Sequence, residues 1–193
     1  LLPESVRVRA ALECGADLVF ALPAPWACAG AEAFARAGVH LLAATGCDAL
    51  VFGAETPDAA LLLETARVLN SAAYRAALKQ QLAAGARSFA AARQAAVHSL
   101  LGEDAGLLSS PNNVLGIEYL RALRQLGSNI QPLTISRQGA SHDAAEPDTD
   151  FPSASQLRQR FLTGQDISSS LPPAMGGCDS AARRPAHADD AES

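Results

Sequence analysis

The sequence is poor in aromatic and charged residues and has no long apolar run. Aromatic residues make up 5% of its 193 positions and charged residues 18%, below the roughly 25% charged residues of typical soluble domains. Its apolar stretches, such as 59–63, are far shorter than the roughly 20 residues that a membrane-spanning helix needs. These deficits exclude the membrane-spanning and fibrous classes, and the high alanine content favours a helix-rich globular chain.

Cysteines are few and widely separated. No CxxC pair occurs, and no histidine lies at the spacing of a zinc site, so the sequence predicts neither a structural metal nor a disulfide framework. Such cysteine usage is typical of a reducing compartment, and we expect a cytoplasmic protein. The four cysteines are Cys14, Cys28, Cys47 and Cys178.

Net positive charge and a targeting segment are also lacking. The formal net charge is −5, so the chain has no overall field that attracts nucleic acid, and any RNA contact has to be local. The sequence begins without Met, a basic segment or a signal-type apolar core. We therefore expect no targeting peptide and a chain that starts inside a longer protein.

Alternating apolar runs and helical patterns predict the fold class. Short apolar runs at 17–22, 48–53 and 130–135 have the character of buried parallel strands, and helices are expected at 4–13 and 31–45 between or before them. Crossovers of this kind produce a doubly wound parallel sheet with helices on both faces, so the class is α/β.

The rest of the chain is predicted to be mostly helical. A helix is expected to start at Thr56-Pro57-Asp58 and run to Leu69, followed by helices over 71–84 and 88–101. These make a helical insertion at about 57–108 within an ATP-binding domain that spans 1–165. Ser110-Pro111 predicts the start of a further helix that ends at Gly127. The small, polar residues of 166–193 predict a disordered tail.

Candidate ligand-binding residues follow the predicted strands. Ligands of open parallel sheets bind at the carboxyl ends of the strands, where helix N-termini present N–H groups to anions. Gly53 and Arg137 follow two strands, and Asn112 lies in the first turn of a helix. Ser155 and Arg158 lie early in a helix that a capping box starts at Ser153, an arrangement suited to a phosphate.

None of these signals is specific alone. The sequence has no GxGxxG, GxxxxGK[ST], HExxH or GxSxG motif. His142-Asp143 is either an acid/base pair or a polar, solvated part of a loop. Glu32 and Glu118 either contact a substrate or carry surface charge, and surface charge is the better account. The residues by themselves therefore indicate only a nucleotide-binding α/β domain.

Ordered sequence strings carry a more specific resemblance. VFGAE at 51–55, SPNNVLGIEYL at 110–120, LTISR at 133–137 and PSAS at 152–155 occur in this order. Together they resemble the bacterial tRNA(Met) cytidine acetate ligase family, a branch of the HIGH-type nucleotidyltransferase superfamily. The resemblance extends over roughly residues 1–162, and the SPNN string is its most specific part.

The resemblance implies an enzyme that activates acetate with ATP, with Mg²⁺ expected, as acetyl-adenylate. The acetyl group would then pass to N4 of the wobble cytidine of elongator tRNA(Met). Gly53, Asn112 and Arg137 match the family's ATP contacts, whereas Ser155 and Arg158 resemble the superfamily's phosphate-binding serine helix. No residue of this sequence matches a catalytic position.

The sequence also departs from the family pattern. The family's HxGH motif occurs nowhere in it, Ala29-Gly30 replaces a Gln-Ser pair, and Ser141 replaces an aromatic residue. We therefore expect a nucleotidyltransferase domain without its first strand and HxGH loop, incomplete at both ends and inactive alone. Two alternatives remain: another HIGH-type adenylyltransferase, and a noncatalytic nucleotide-binding module.

Overall fold

The computed structural model describes residues 3–137 and 152–171. It divides into two compact units: Leu22–Arg137, and the described residues of Leu1–Ala21 together with those of Gln138–Ser193. Most described residues are helical, and two parallel strands form a sheet in the first of these units. The predicted α/β class with a parallel sheet is thus confirmed.

Seven α-helices and two strands make up the regular structure of the described residues. The helices are α1 (Glu4–Glu13), α2 (Ala31–Thr45), α3 (Ala59–Leu69), α4 (Ala72–Ala83), α5 (Phe89–Leu101), α6 (Pro111–Leu126) and α7 (Ala154–Leu162). The strands are β1 (Ala49–Ala54) and β2 (Gln131–Ser136), and short 3-10 turns occupy Trp26–Cys28, Gly102–Ser109 and Ser168–Ser170. None of the described helices combines the length and the apolar character needed to cross a membrane.

The two strands align their carboxyl ends. They pair in parallel with Gly53 opposite Ile135 and Ala54 opposite Ser136. Both strands lie one residue later than predicted. Gly53, which was expected to follow the strand, is the residue before the last of β1. Alternate residues of β1 are buried, as expected for a strand with one face on the core.

The strand predicted at 17–22 is wrong. This segment adopts no strand, and the described sheet consists of β1 and β2. Leu18, Val19 and Phe20 are 71%, 38% and 50% exposed. An apolar run becomes a strand only when a neighbouring backbone pairs with its N–H and C=O groups, and the described residues provide no such neighbour here.

Local end signals place the helices close to where the sequence predicted them. Gly46 and Gly127 have positive φ and end α2 and α6, as predicted. The predicted start of α3 at Thr56 is corrected, because Asp58 is its N-cap and accepts a hydrogen bond from Leu61 N at 3.0 Å. Thr56 instead donates its N–H to Asn113 Oδ1.

Helix α6 approaches β1 closely, and a glycine makes this possible. A Cβ atom on Gly116 would lie 2.5 Å from Cε2 of Phe52. The Phe52 ring in turn packs on Tyr119, with ring centroids 5.6 Å apart. This packing brings the N-terminus of α6 to the carboxyl end of β1, where the candidate site lies.

The predicted domain limits are only partly covered by the structure. Helices α3 to α5 lie within the predicted insertion 57–108, and they belong to the same compact unit as the sheet. In the predicted tail, Ser168–Ser170 forms a 3-10 turn, and 172–193 lies outside the described residues. The limits 1–165 and 57–108 stay predictions.

Candidate nucleotide-binding site

Arg137 and Gly53 lie in contact at the carboxyl end of the sheet. Arg137 N donates a hydrogen bond to Ala54 O at 3.0 Å, which continues the strand pairing by one residue. A Cβ atom on Gly53 would lie 3.3 Å from Cγ of Arg137. The stem of the arginine therefore lies beside the glycine, which is itself exposed.

The guanidinium of Arg137 is available to an anion. Arg137 is exposed, and no carboxylate among the described residues forms an ion pair with it. A guanidinium presents a planar fork of donors that matches phosphate oxygens. The predicted pair of Gly53 and Arg137 thus forms a cationic surface at this edge.

Glu55 caps the N-terminus of α6. Its Oε1 accepts hydrogen bonds from Asn112 Nδ2 at 2.6 Å and Asn112 N at 3.2 Å. Its Oε2 accepts a hydrogen bond from Asn113 N at 2.8 Å. The predicted cap, Ser110, makes no side-chain hydrogen bond to the helix, so Glu55 takes that role from 57 residues away.

Hydrogen bonding keeps Glu55 ionised. Burial raises the pKa of its carboxyl, but the Asn112 side chain and the backbone N–H groups of Glu55, Asn112 and Asn113 together lower the pKa below its ordinary value. The α6 dipole favours the same charge. Sequence reasoning assigned no role to Glu55, although a carboxylate directly after a strand was a signal that could have found it.

The two neighbouring asparagines do different things. Asn113 is 1% exposed; its Oδ1 accepts from Thr56 N at 2.9 Å and its Nδ2 donates to Thr56 Oγ1 at 3.1 Å. It therefore holds the segment after β1 onto α6. Asn112 is half-buried, and its side chain contacts only Glu55 among the hydrogen-bond partners that the described residues offer it. Of the two, Asn112 is the one that a ligand can reach.

Ser155 and Arg158 belong to the other compact unit. Ser153 and Gln156 form the predicted capping box of α7. Both Ser155 and Arg158 are exposed, and Arg158 Nε donates to Ala154 O at 3.1 Å, which turns its side chain toward the first turn of the helix. The structure thus brings Gly53 and Arg137 together, with Asn112 and Glu55 adjoining them along the same edge.

The sequence favours a surface charge at Glu118, and the structure corrects this prediction. Glu118 is 1% exposed and accepts hydrogen bonds from Arg93 and from Arg121, the latter at 2.6 Å. Glu32 is exposed and lies 3.7 Å from Arg121. Glu118 thus links α5 and α6 in the core, whereas Glu32 of α2 is a surface charge, the account that the sequence favoured. His142-Asp143 lies outside the described residues.

Metal-binding side chains do not cluster in the part of the chain that the structure describes. No group of three or more His, Cys, Asp or Glu residues there has the arrangement of a metal site. The described cysteines, Cys14, Cys28 and Cys47, are free thiols. The candidate site therefore consists of the Arg137 guanidinium, the Glu55 carboxylate that caps α6, the Asn112 amide and the backbone of Gly53.

Comparison with known proteins connects the chain to a family. A family model described as HIGH nucleotidyl transferase matches residues 2–185. A tRNA(Met) cytidine acetate ligase of Syntrophotalea carbinolica is 44% identical over 176 residues, which cover 89% of this chain and 42% of that protein. A protein of the same name from a Thermoanaerobacter species is 39% identical over 161 residues, covering 81% of this chain and 40% of its own length.

Solved structures agree with this similarity. Thermotoga maritima TmcAL in its apo form superimposes with a TM-score of 0.82 at 33% identity, covering 89% of this chain and 43% of that one. The same protein bound with alpha-thio ATP gives a TM-score of 0.78 at 30% identity, covering 90% and 42% of the two chains. The chain spans less than half the length of these relatives.

Proposed function

The chain belongs to the HIGH nucleotidyl transferase family, and we propose that it forms the ATP-binding part of a tRNA(Met) cytidine acetate ligase. The names of its relatives support this function. The observation that carries the proposal is the contact of Arg137 with Gly53 beside the Glu55–Asn112 pair. The related structure bound with alpha-thio ATP supports ATP as the nucleotide.

Gly53 and Arg137 would hold the phosphates. A position without a side chain lets an anionic ligand lie against the strand, and the adjacent guanidinium neutralises its charge. Arg137 is suited to this role because no carboxylate of the described residues competes for it. Mg²⁺ would arrive with the nucleotide, since proteins commonly bind this ion through substrate phosphates and only one or two carboxylates.

The proposed reaction has two steps. A carboxylate oxygen of acetate attacks the α-phosphorus of ATP, and pyrophosphate leaves, which produces acetyl-adenylate. The N4 amine of the wobble cytidine of elongator tRNA(Met) then attacks the acetyl carbonyl carbon; AMP leaves, and N4 loses a proton. Negative charge accumulates on the phosphate oxygens in the first step, and the fixed positive charge of Arg137 would stabilise it.

Ser155 and Arg158 are proposed as a second phosphate-binding element. Their side chains are exposed at the start of α7, where a hydroxyl, backbone N–H groups and a guanidinium occur together.

A tRNA substrate also agrees with a cytoplasmic location, which we propose for the protein. Acetate and tRNA would be partners of the longer protein.

Equilibrium binding tests the nucleotide site directly. Binding rather than turnover is the measure of this site because the sequence contains no HxGH motif. Isothermal titration should detect ATP binding to the chain, and Arg137→Ala should weaken it by roughly tenfold, the usual effect of losing one charged hydrogen-bonding group. Arg67→Ala, which removes an exposed arginine of α3, is the matched control and should leave ATP affinity unchanged. Absence of ATP binding, or equal binding by Arg137→Ala, would refute the proposal.

A further inference from the structure

Asn112 lies in the candidate site with only one half of its amide engaged. Its Nδ2 donates to Glu55 Oε1 at 2.6 Å, whereas its Oδ1 accepts no hydrogen bond from any described residue. An amide oxygen has two lone pairs and serves only as an acceptor. Asn112 is half-buried, and its unpaired Oδ1 therefore suits a ligand group that donates a hydrogen bond.

The orientation of this amide is dictated by Glu55. The hydrogen bonds from α6 hold Glu55 as a carboxylate, which can only accept hydrogen bonds. A reversed amide would place Oδ1 against a carboxylate oxygen, so that two acceptors would face each other without a proton. Asn112 consequently keeps its nitrogen toward Glu55 and its oxygen away from it.

Charge divides the site into two parts. The negative charge of Glu55 and the outward oxygen of Asn112 disfavour a phosphate at the N-terminus of α6, even though helix N-termini commonly bind anions. Arg137 supplies positive charge to the other part of the site. Its backbone N–H donates to the carbonyl oxygen of Ala54, the residue before Glu55. Phosphates are therefore favoured at Arg137, and a neutral donor is favoured at Asn112.

We propose that Glu55 is a positioning residue that fixes the Asn112 amide so that its Oδ1 accepts a hydrogen bond from the nucleoside of the bound nucleotide. The donor is a ribose hydroxyl or the exocyclic amine of adenine. This inference rests on the proposed function and deepens it, because it assigns the nucleoside and the phosphates to different residues of the same site.

Comparing the binding of ATP with that of inorganic tripolyphosphate tests whether the nucleoside and the phosphates contact different residues. Isothermal titration of the chain should show that Glu55→Gln and Asn112→Ala each weaken ATP binding by roughly three- to tenfold, the effect of losing or misorienting one hydrogen bond. Neither substitution should weaken tripolyphosphate binding, and Glu55→Gln should strengthen it slightly because a negative charge is removed. Arg137→Ala should weaken both ligands. Glu64→Gln, the same change at an exposed carboxylate of α3, should affect neither.

ATP analogues identify the donor. Binding of 2′-deoxy-ATP, 3′-deoxy-ATP and inosine triphosphate is compared between the unsubstituted chain and Asn112→Ala. The affinity ratio caused by Asn112→Ala should fall to near one for the analogue that lacks the relevant hydroxyl or amine. An equal ratio for ATP and all three analogues would overturn the proposal.

Exchange of the two polar partners separates positioning from stability. Asn112→Asp alone should lose ATP affinity, because it places two carboxylates side by side. In the double variant Glu55→Gln with Asn112→Asp, the new amide at position 55 can donate to the new carboxylate at position 112, so ATP affinity should be partly restored. A role of Glu55 limited to helix capping predicts no such rescue, since the double variant has fewer acceptors for the helix than the unsubstituted chain. ATP affinity no better than in Asn112→Asp would count against positioning.

The outcomes also separate this inference from the proposed function. If the chain binds ATP through Arg137 but Glu55→Gln and Asn112→Ala bind ATP normally, or weaken tripolyphosphate equally, only the positioning role is refuted. If the chain binds no ATP, both proposals fail. Circular dichroism and thermal unfolding of each variant identify any loss of fold, and Asn112→Ala, which keeps the backbone cap from Glu55, serves if Glu55→Gln does not fold.

Discussion

The side chain of Arg137 lies beside Gly53, such that a Cβ atom on the glycine would lie 3.3 Å from Cγ of the arginine. The two residues come from the carboxyl ends of two strands that are paired in parallel. A contact this close makes the position of the guanidinium sensitive to the residue at position 53. The bare glycine is therefore part of the candidate site and not merely a turn residue.

Gly53→Ala should lower ATP affinity with little effect on stability. The added Cβ requires the Arg137 stem to move by a few tenths of an ångström, and we expect a roughly three- to tenfold weaker Kd, within the range of losing one hydrogen bond. Titration calorimetry measures the Kd. The control is Gly38→Ala in α2, where nothing lies within 4 Å of the new Cβ. Unchanged ATP affinity in Gly53→Ala would contradict the role of the contact.

Gly116→Ala should destabilise the fold. Its Cβ would lie 2.5 Å from Cε2 of the buried Phe52, so the ring or α6 has to shift, at a cost of about 1–3 kcal/mol for an overpacked core. Urea denaturation measures this free energy of unfolding. Gly38→Ala is again the control and should be neutral or stabilising, because alanine is the better helix former. Equal stability of Gly116→Ala and the unsubstituted chain would refute the packing argument.

Glu118→Gln should destabilise the helical core strongly. The substitution leaves the side chains of Arg93 and Arg121, which are 19% and 13% exposed, without their buried carboxylate. Removing one member of a buried ion pair costs about 3–5 kcal/mol. Denaturant titration should show this loss, whereas Glu64→Gln, on an exposed pair with Arg67, should change stability little. A loss no larger than that of Glu64→Gln would contradict a buried network.

Glu55 should make stability depend on pH below its ordinary pKa. Burial raises the pKa of this carboxyl, but the hydrogen bonds from Asn112, Asn113 and its own backbone lower it overall. The folded state therefore binds the proton less readily than the unfolded state. The stabilising contribution is present above the ordinary value of 4.5 and is lost as the pH falls through the lowered folded value.

Thermal unfolding of the chain and of Glu55→Gln over this acid range checks the sign. The stability difference between them should be largest above pH 4.5 and shrink as the pH falls. Glu64→Gln is a poor control here because the pKa of Glu64 is lowered too, by its hydrogen bond with Arg67. Gly38→Ala, which changes no titratable group, is the appropriate one. A difference that grows on acidification would refute the assignment.

Much of the helical structure follows from the sequence, because the signals that end helices are local. Gly127 and the Ser153 capping box act within a few residues of the helix ends that they define. β1 and β2 were also predictable, since their apolar runs each find a partner in the other. The same pattern at 17–22 predicted a third strand that the described structure lacks, because pairing depends on a neighbouring backbone and not on the run itself.

The candidate site was predictable only in part. Gly53, Arg137 and Asn112 were singled out because they lie near the ends of predicted strands or at the start of a helix, and the strings around them resemble a family. The role of Glu55 was not found, since its hydrogen bonds reach a helix 57 residues away. Proximity of this kind is set by where the sheet and α6 place their ends.

The amino-acid sequence by itself determined the class of the chain, the ends of most helices and the order of the candidate ligand residues, because propensity, capping and periodicity act over short stretches of chain. Only the tertiary structure decided that Asn113 is buried while Asn112 is partly exposed, and that Glu118 is a core ion rather than a surface charge. Burial and long-range hydrogen bonding depend on which elements pack together, and that information is not contained in any one segment.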